Sequence, residues 1–328
     1  MTLIIDDATV RRAIDMPQAI EHLRAAYQAL ALGEVTEADR INLSLPTGFL
    51  RLMAAAWPTK GFAGYKEFHR CNGHVRYTYH LMDQATGENL AMIDANHLTA
   101  LRTGASGGLA ADILARPESR VLGVIGSGAE ARTQVEAIRA VRPIDTVIVY
   151  SPRSERREAL AAELRTSGVE AYTTADPAAA VSKADVVAVA TNTGARGPAF
   201  EGRWLTQPGV HVNSIGSTLP SQREIDEKTW AQVDRVVIDA ELLLHESGDA
   251  IAAQQAGTLD PSRVTLLADA VAGSDHNVRT QDERTLYKSV GSAVQDLALA
   301  QAVFAQFVGE DHELTVVPAY HKVSVMAS

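Results

Sequence analysis

Gly126-Ser127-Gly128-Ala129-Glu130-Ala131 constrains the fold more than any other stretch of this chain. The apolar run Val121-Leu122-Gly123-Val124-Ile125 precedes it, and a helix-like segment from Arg132 to Val141 follows. A strand that turns on glycines into a helix points backbone N–H groups and a positive helix end at an anion, typically the pyrophosphate of a dinucleotide. The pattern G-x-G-x-x-[GA] also arises by chance, so its weight comes from context. Here a second apolar strand, Thr146-Val147-Ile148-Val149-Tyr150, falls where a βαβ unit closes. An ordinary strand–turn–helix with no ligand is the competing reading. On the first reading Gly126, Ser127, Gly128, Ala129 and Glu130 touch the cofactor.

The pattern around this motif divides the chain into three zones. From 1 to about 115, a helix is expected from Pro17 to Leu32, with Pro17 near its first turn. Alternating segments follow at Leu50–Ala55, Gly64–Phe68, Val75–Met82 and Asn89–Ile93, separated by turn residues, the signature of antiparallel strands. A small-residue helix from about Leu98 to Leu114 ends before Pro117, and its Gly104, Gly107 and Gly108 predict very close packing against a neighbour. From about 118 to 285, strands at Val121–Ile125, Thr146–Tyr150, Glu170–Thr173, Asp185–Ala190, Val210–Ile215 and Arg235–Ile238 alternate with helical segments. That alternation predicts an α/β fold with a doubly wound parallel sheet. The third zone opens near Thr285, and its apolar helix, Ala293–Val308, is expected to pack back on the first zone. The expected architecture is a Rossmann domain, 116–289, inserted into an α+β substrate-binding and dimerisation domain, 1–115 plus 290–328.

A formal net charge of -10 argues against general nucleic-acid binding, which needs a basic surface. The one cysteine, Cys71, excludes an intramolecular disulfide and fits a reducing compartment. The first residues lack the basic and apolar regions of a signal peptide. No run reaches the roughly 18 uninterrupted apolar residues of a membrane span. The expectation is a cytoplasmic protein acting on small molecules.

An Asp or Glu at the end of the second Rossmann strand binds the ribose 2′-OH of NAD, whereas basic residues there suit a 2′-phosphate. Here the strand ends Tyr150-Ser151-Pro152-Arg153-Ser154-Glu155-Arg156. A hydroxyl at Ser151 and guanidinium groups at Arg153 and Arg156 favour NADP(H), with NAD(H) possible. Arginines that merely solvate the start of a surface helix are the alternative.

Several separated motifs together resemble one known family. They are Gly64-Tyr65-Lys66, Thr86-Gly87-Glu88-Asn89-Leu90-Ala91-Met92-Ile93-Asp94, Leu98-Thr99-Ala100-Leu101-Arg102-Thr103, Val124-Ile125-Gly126-Ser127-Gly128, His211-Val212-Asn213-Ser214-Ile215-Gly216 and Lys288-Ser289-Val290-Gly291. In these the chain is similar to the ornithine cyclodeaminase/μ-crystallin family along nearly its whole length. The resemblance implies a homodimer that uses NAD or NADP to exchange hydride with the α-carbon of an amino or imino acid. It implies that Arg40, Lys66 and Arg102 hold the substrate carboxylate, and that Arg102, Thr103, Thr191 and Ser289 border the cofactor. Lys66 can also move a proton to or from the imine nitrogen, because buried lysines shift pKa readily.

Two departures from the family's cyclodeaminases redirect the expected activity. Where those enzymes carry a catalytic aspartate, this chain has Thr218, whose hydroxyl cannot accept a proton as a carboxylate does. Where they place a carboxylate to meet a terminal amine, it has Arg51, which repels an ammonium and welcomes an acidic or neutral group. The expected activity is therefore reduction of a small imino acid, or the reverse oxidation, with catalytic roles at Lys66 and Thr218. A cyclodeaminase and an NADPH-dependent binding protein like μ-crystallin are the alternatives. His69, His74 and His80 lack compact metal-ligand spacing, and no metal is expected. Asp226, Asp239 and Asp296 are further candidates for catalytic carboxylates, but each sits near a strand or helix end, where capping or solvation explains it adequately.

Overall fold

The chain opens with β1 (Thr2–Ile5) and α1 (Asp7–Ala13), the helix capped by Asp6, whose carboxylate accepts the Thr9 amide at 2.8 Å. The computed structural model describes residues 2–273, 280–307 and 315–317. α2 (Met16–Ala31) starts at a capping box in which Asp15 and Gln18 satisfy each other's backbone N–H groups. Its Ile20, Leu23 and Tyr27 share one face and are buried. Then come β2 (Thr36–Glu37), β3 (Ile41–Leu45), β4 (Gly48–Trp57), β5 (Phe62–Cys71), β6 (His74–Asp83), β7 (Asn89–Asp94) and the long helix α3 (Asn96–Leu114).

From there strand and helix alternate. The elements are β8 (Val121–Ile125), α4 (Ala129–Val141), β9 (Thr146–Tyr150), α5 (Ser154–Thr166), β10 (Glu170–Thr174), α6 (Pro177–Val181) and β11 (Val186–Val189). They continue as β12 (His211–Ser214), α7 (Glu227–Gln232), β13 (Arg235–Ile238), α8 (Leu243–Glu246), α9 (Gly248–Gln255), β14 (Val264–Leu266) and α10 (Leu267–Val271). β15 (Thr285–Lys288), α11 (Ala293–Ala305) and β16 (Thr315–Val317) close the described chain.

Two eight-stranded sheets result. The first runs β16-β1-β7-β6-β5-β4-β2, with β3 paired to β4, and is antiparallel except where β1 meets β7. The second is wholly parallel in the order β10-β9-β8-β11-β12-β15-β13-β14. Its strand order reverses at β8 and β11, the crevice where open α/β sheets bind ligands. This is the expected doubly wound fold, with two strands more than the six read from the sequence. One addition, β15, lies mid-sheet, so the zone expected to open near Thr285 begins on a sheet strand. α11 packs on α2, α3 and strands β4 to β6, as its apolar surface demands, although it ends at Ala305. Met1, residues 308–314 (with Val308, the expected end of that helix) and residues 318–328 of the expected first domain lie outside the described residues.

The small residues of α3 find their neighbour in α4. A Cβ on Gly104 would come within 2.6 Å of the Thr133 Cβ, one on Gly107 would overlap the Gln134 side chain, and one on Gly108 would lie 2.9 Å from the Ala137 Cβ. Gln134 is fully buried in this seam and donates to the Thr103 carbonyl at 2.8 Å, while Asn213 donates to the Gln134 side chain and to the Gly107 carbonyl. A helix of the first sheet's layer is thus fastened to the helix that follows the glycine loop. Among the described residues no helix is long and apolar enough to cross a membrane.

Candidate active site

The glycine loop is built for close backbone approach. Gly126 has φ 131, and a Cβ there would collide with the Ala190 carbonyl at the tip of β11. Gly128 is the N-cap of α4, and no side chain caps that end. The first-turn N–H groups have no intrahelical partner, and Gly128, Ala129 and Glu130 are exposed. Arg132 holds the Ser127 and Gly128 carbonyls at 2.8 and 3.2 Å, turning the loop's amides outward. An uncapped thirteen-residue helix behind a tight glycine turn fits a dinucleotide pyrophosphate.

At the tip of β9, Ser151 is buried and its hydroxyl accepts from Ser127 at 2.9 Å. Arg153 and Arg156 are exposed at the start of α5, and Arg157 holds the Ser151 carbonyl at 3.0 Å. Other expected cofactor neighbours use their hydroxyls within the protein. Thr103 donates to the Thr99 carbonyl at 2.7 Å, Thr191 to Glu224 at 3.0 Å and Ser289 to Asp239 at 2.6 Å.

The anion pocket follows from strand register. Arg51 and Met53 of β4, Lys66 and Phe68 of β5, and Tyr77 and Tyr79 of β6 are cross-strand partners, so all six side chains share one sheet face. α11 covers that face and places Asp296 against it. Lys66 Nζ lies 2.7 Å from Asp296 Oδ2, and Arg102 of α3 donates from Nε to Asp296 Oδ1 at 3.1 Å. Lys66 is 1% exposed and Asp296 0%, so one buried carboxylate serves two buried cations. Gln295 accepts from Arg102 at 2.9 Å and donates to the Tyr27 hydroxyl at 2.7 Å, fixing the guanidinium plane. Glu37 accepts the Val294 amide at 2.5 Å and pins the first turn of α11; burial pushes its carboxyl up to about 7.

Arg40 and Arg51 complete the group. Arg40 pairs with Glu246 at 3.2 Å and donates to the Gly291 carbonyl at 2.5 Å. Gly291 has φ 82, and a Cβ there would stand 2.7 Å from Arg102 Nη1, so this glycine lets Arg102 approach while its carbonyl receives Arg40. Arg51 donates to Asn42 at 2.7 Å and is 3% exposed; burial and then the Arg40 charge push its pKa down to about 10. Burial also drives the Lys66 pKa down, to about 7, with Asp296 opposing and Arg102 and Arg40 adding repulsion. Four buried cations, Arg40, Arg51, Lys66 and Arg102, thus stand with two carboxylates, Asp296 and Glu246. The excess positive charge suits a carboxylate ligand. Tyr77 lies under Lys66, with Nζ 5.9 Å from its ring centroid, and feels the charges of Arg102 and of Glu130 from the glycine loop. Pocket and loop are neighbours.

Thr218 sits half-buried in the loop after β12, next to Ser217, whose φ is 59. The hairpin histidines occupy separate registers, His69 opposite Arg76, His74 opposite Cys71 and His80 opposite Tyr65. Two carboxylates read from sequence as capping or solvated are neither. Asp296 is enclosed between Lys66 and Arg102. Asp239 is 3% exposed and accepts Ser289 Oγ and the Val290 and Gly291 amides. Asp226 does cap α7, accepting the Thr229 amide at 2.9 Å. Asp296 carried a signal: a lone carboxylate within an otherwise apolar helix needs a buried partner.

An open glycine loop on a doubly wound sheet, beside a buried cationic pocket, defines a dinucleotide-binding fold with an anion site. The chain belongs to the ornithine cyclodeaminase/mu-crystallin family, whose model matches residues 2–311. It is 32% identical to the alanine dehydrogenase of Archaeoglobus fulgidus over 311 residues, covering 92% of this chain and 94% of the relative. Its structure resembles that of Thermococcus litoralis Δ1-pyrroline-2-carboxylate reductase in complex with NADH and L-proline, with TM-score 0.88 and 30% identity over 93% of this chain and 97% of that one. An archaeal alanine dehydrogenase dimer with bound NAD matches at TM-score 0.86 and 31% identity, covering 93% of this chain and 95% of the other.

Proposed function

We propose that this chain transfers hydride between a nicotinamide dinucleotide and the carbon of a small imino acid's C=N bond, forming an amino acid or consuming one in reverse. The observation that carries this reading is the buried Lys66–Asp296–Arg102 group, with Arg40 and Arg51 beside it, next to the open glycine loop. A bound reduced nicotinamide supplies the hydride. Arg40, Arg51, Lys66 and Arg102 bind and orient the carboxylate in a water-poor site, where charge-assisted bonds are strong. Lys66, as an ammonium, delivers a proton to the imine nitrogen as hydride reaches the carbon; Asp296 keeps it charged and aimed. Thr218 orients a water or the substrate nitrogen. Cyclodeamination lacks its base at Thr218, and the buried carboxylates Glu224 and Asp239 are already engaged by several donors each.

Oxidation of NAD(P)H in the presence of pyrroline-2-carboxylate, piperideine-2-carboxylate, iminosuccinate or pyruvate with amines tests the proposal. Tight NADPH binding without turnover on any of them would overturn it in favour of a binding protein. NADP(H) is the preferred dinucleotide on this reading, because Ser151, Arg153 and Arg156 surround a strand tip that carries no carboxylate. Arg153→Asp should move the ratio of kcat/KM values toward NAD(H) by about tenfold or more, given the strength of a guanidinium–phosphate pair. An unchanged ratio would reject the assignment.

The proposed division is a dinucleotide part, 116–289, and a platform, 1–115 with 290–328, on which two copies meet. β3 favours such a dimer: Ile41, Leu43 and Leu45 point the same way and are 55%, 51% and 37% exposed. Light scattering should give the mass of two chains, and a monomer would remove this part of the proposal.

A further inference from the structure

Behind the carboxyl ends of β11, β12 and β15 lies a second buried charge cluster that the proposed reaction does not use: Glu224, Asp249 and Lys288. Their exposures are 1%, 0% and 0%. Each oxygen of Glu224 takes a different strand. Oε1 accepts the Thr191 amide at 2.6 Å and the Thr191 hydroxyl at 3.0 Å, just past β11. Oε2 accepts the Ser214 hydroxyl and the Gly216 amide, both at 2.7 Å, at the end of β12. Lys288 Nζ completes the hold, donating to Ser214 Oγ at 3.1 Å and to the Gly216 carbonyl, and pairing with Asp249 Oδ2 at 3.1 Å. Asp249 in turn accepts the Glu224 amide at 2.7 Å. Gly216 is therefore gripped by both its N–H and its C=O, and a Cβ on it would stand 2.5 Å from Glu224 Oε1 and 2.6 Å from the Thr191 carbonyl oxygen.

We propose that Glu224 and Lys288 are positioning residues for the nicotinamide half of the dinucleotide. The inference rests on the dinucleotide reading given above. With the pyrophosphate on the Gly126 loop and the adenine half over β9, the nicotinamide half crosses to the β11 and β12 side of the switch point. The wall it meets there is Thr191 and the loop that starts at Gly216, and this cluster holds Thr191 and Gly216. Enclosing three ionisable groups is a costly way to stabilise a fold, since well-packed apolar residues do as well or better. Bonds to two adjacent strand tips and the loop beyond them serve position instead.

Binding of two probes separates this role from a general structural one. The probes are the reduced dinucleotide that the wild type prefers and the matching ADP-ribose, with or without its 2′-phosphate. Glu224→Gln and Lys288→Met should each weaken the dinucleotide roughly tenfold, the loss of about one charge-assisted hydrogen bond, while ADP-ribose binds within about twofold of wild type. The double variant should lose little more than either single one, because both act through Gly216. Ser214→Ala, a smaller change at the same carboxylate, should give the same pattern more weakly and serves if the charged sites do not tolerate substitution. Equal losses for both probes, or a lowered Tm with neither affinity changed, would overturn the positioning role. Failure of wild-type protein to bind either probe would instead remove the dinucleotide reading, and this inference with it.

Discussion

Lys66→Met is expected to cut kcat/KM for imine reduction about a thousandfold, within the range that a positioned general acid contributes. The wild-type pH profile should carry the same signature. Burial lowers the Lys66 pKa to about 7 in the free protein. On the proposed reaction the ammonium is both the proton donor and a carboxylate ligand. kcat/KM should therefore be flat below that pH and fall about tenfold per unit above it. Lys66→Arg separates the two tasks: a guanidinium can hold the carboxylate but cannot release a proton near neutrality, so KM should recover while kcat stays low. A variant at position 66 that keeps the wild-type alkaline limb would exclude Lys66 as the acid.

Asp296→Asn should have the second largest effect, and it should appear in two measurements. The substitution leaves Lys66 and Arg102 buried with no carboxylate between them. Denaturant unfolding should show a loss of about 3–5 kcal/mol, the usual cost of breaking a buried pair from one side. Asp296 is also the group that opposes the fall of the Lys66 pKa. Without it the pKa drops further, so the alkaline limb of kcat/KM moves to lower pH. A limb that stays put or moves up would show that Asp296 does not govern the charge on Lys66.

The strands of the parallel sheet were largely legible because Val121–Ile125 and Val186–Val189 are short apolar runs buried on both faces, and Thr146–Tyr150 is an apolar run buried at alternate residues. β15 was not, although it sits mid-sheet. Thr285-Leu-Tyr-Lys is four residues long and ends in a lysine, and nothing in its own pattern announces burial. β14 is shorter still. In the first sheet, β4 to β7 showed through their alternation; β3 alternates too, in Ile41, Leu43 and Leu45, but is only five residues long and exposed along its whole length. Arg40 stood out only through the family resemblance, since an arginine next to Asp39 otherwise reads as half of a surface ion pair. Glu224, Asp249 and the partner of Asp296 escaped for a different reason. An ionisable residue far from its partners in sequence looks solvated until the fold brings the partner within 3.1 Å, as it does for Lys66 and Asp296 or Lys288 and Asp249.

The seam between α3 and α4 bears on how such a catalyst can diversify. Arg102 is carried by α3, and the amides of the glycine loop open α4, so the proposed substrate anchor and the proposed cofactor anchor ride on two helices in direct contact through Gly104, Gly107 and Gly108. The span between those anchors is an interhelical spacing, set by the absence of side chains, and no loop enters it. Pocket walls at Arg51 or along the β5–β6 hairpin can therefore change to admit different carbon skeletons while that spacing stays fixed. A single added methyl group at Gly104, Gly107 or Gly108 would do the reverse, because it would stand within 2.9 Å of α4 and force the two helices to shift.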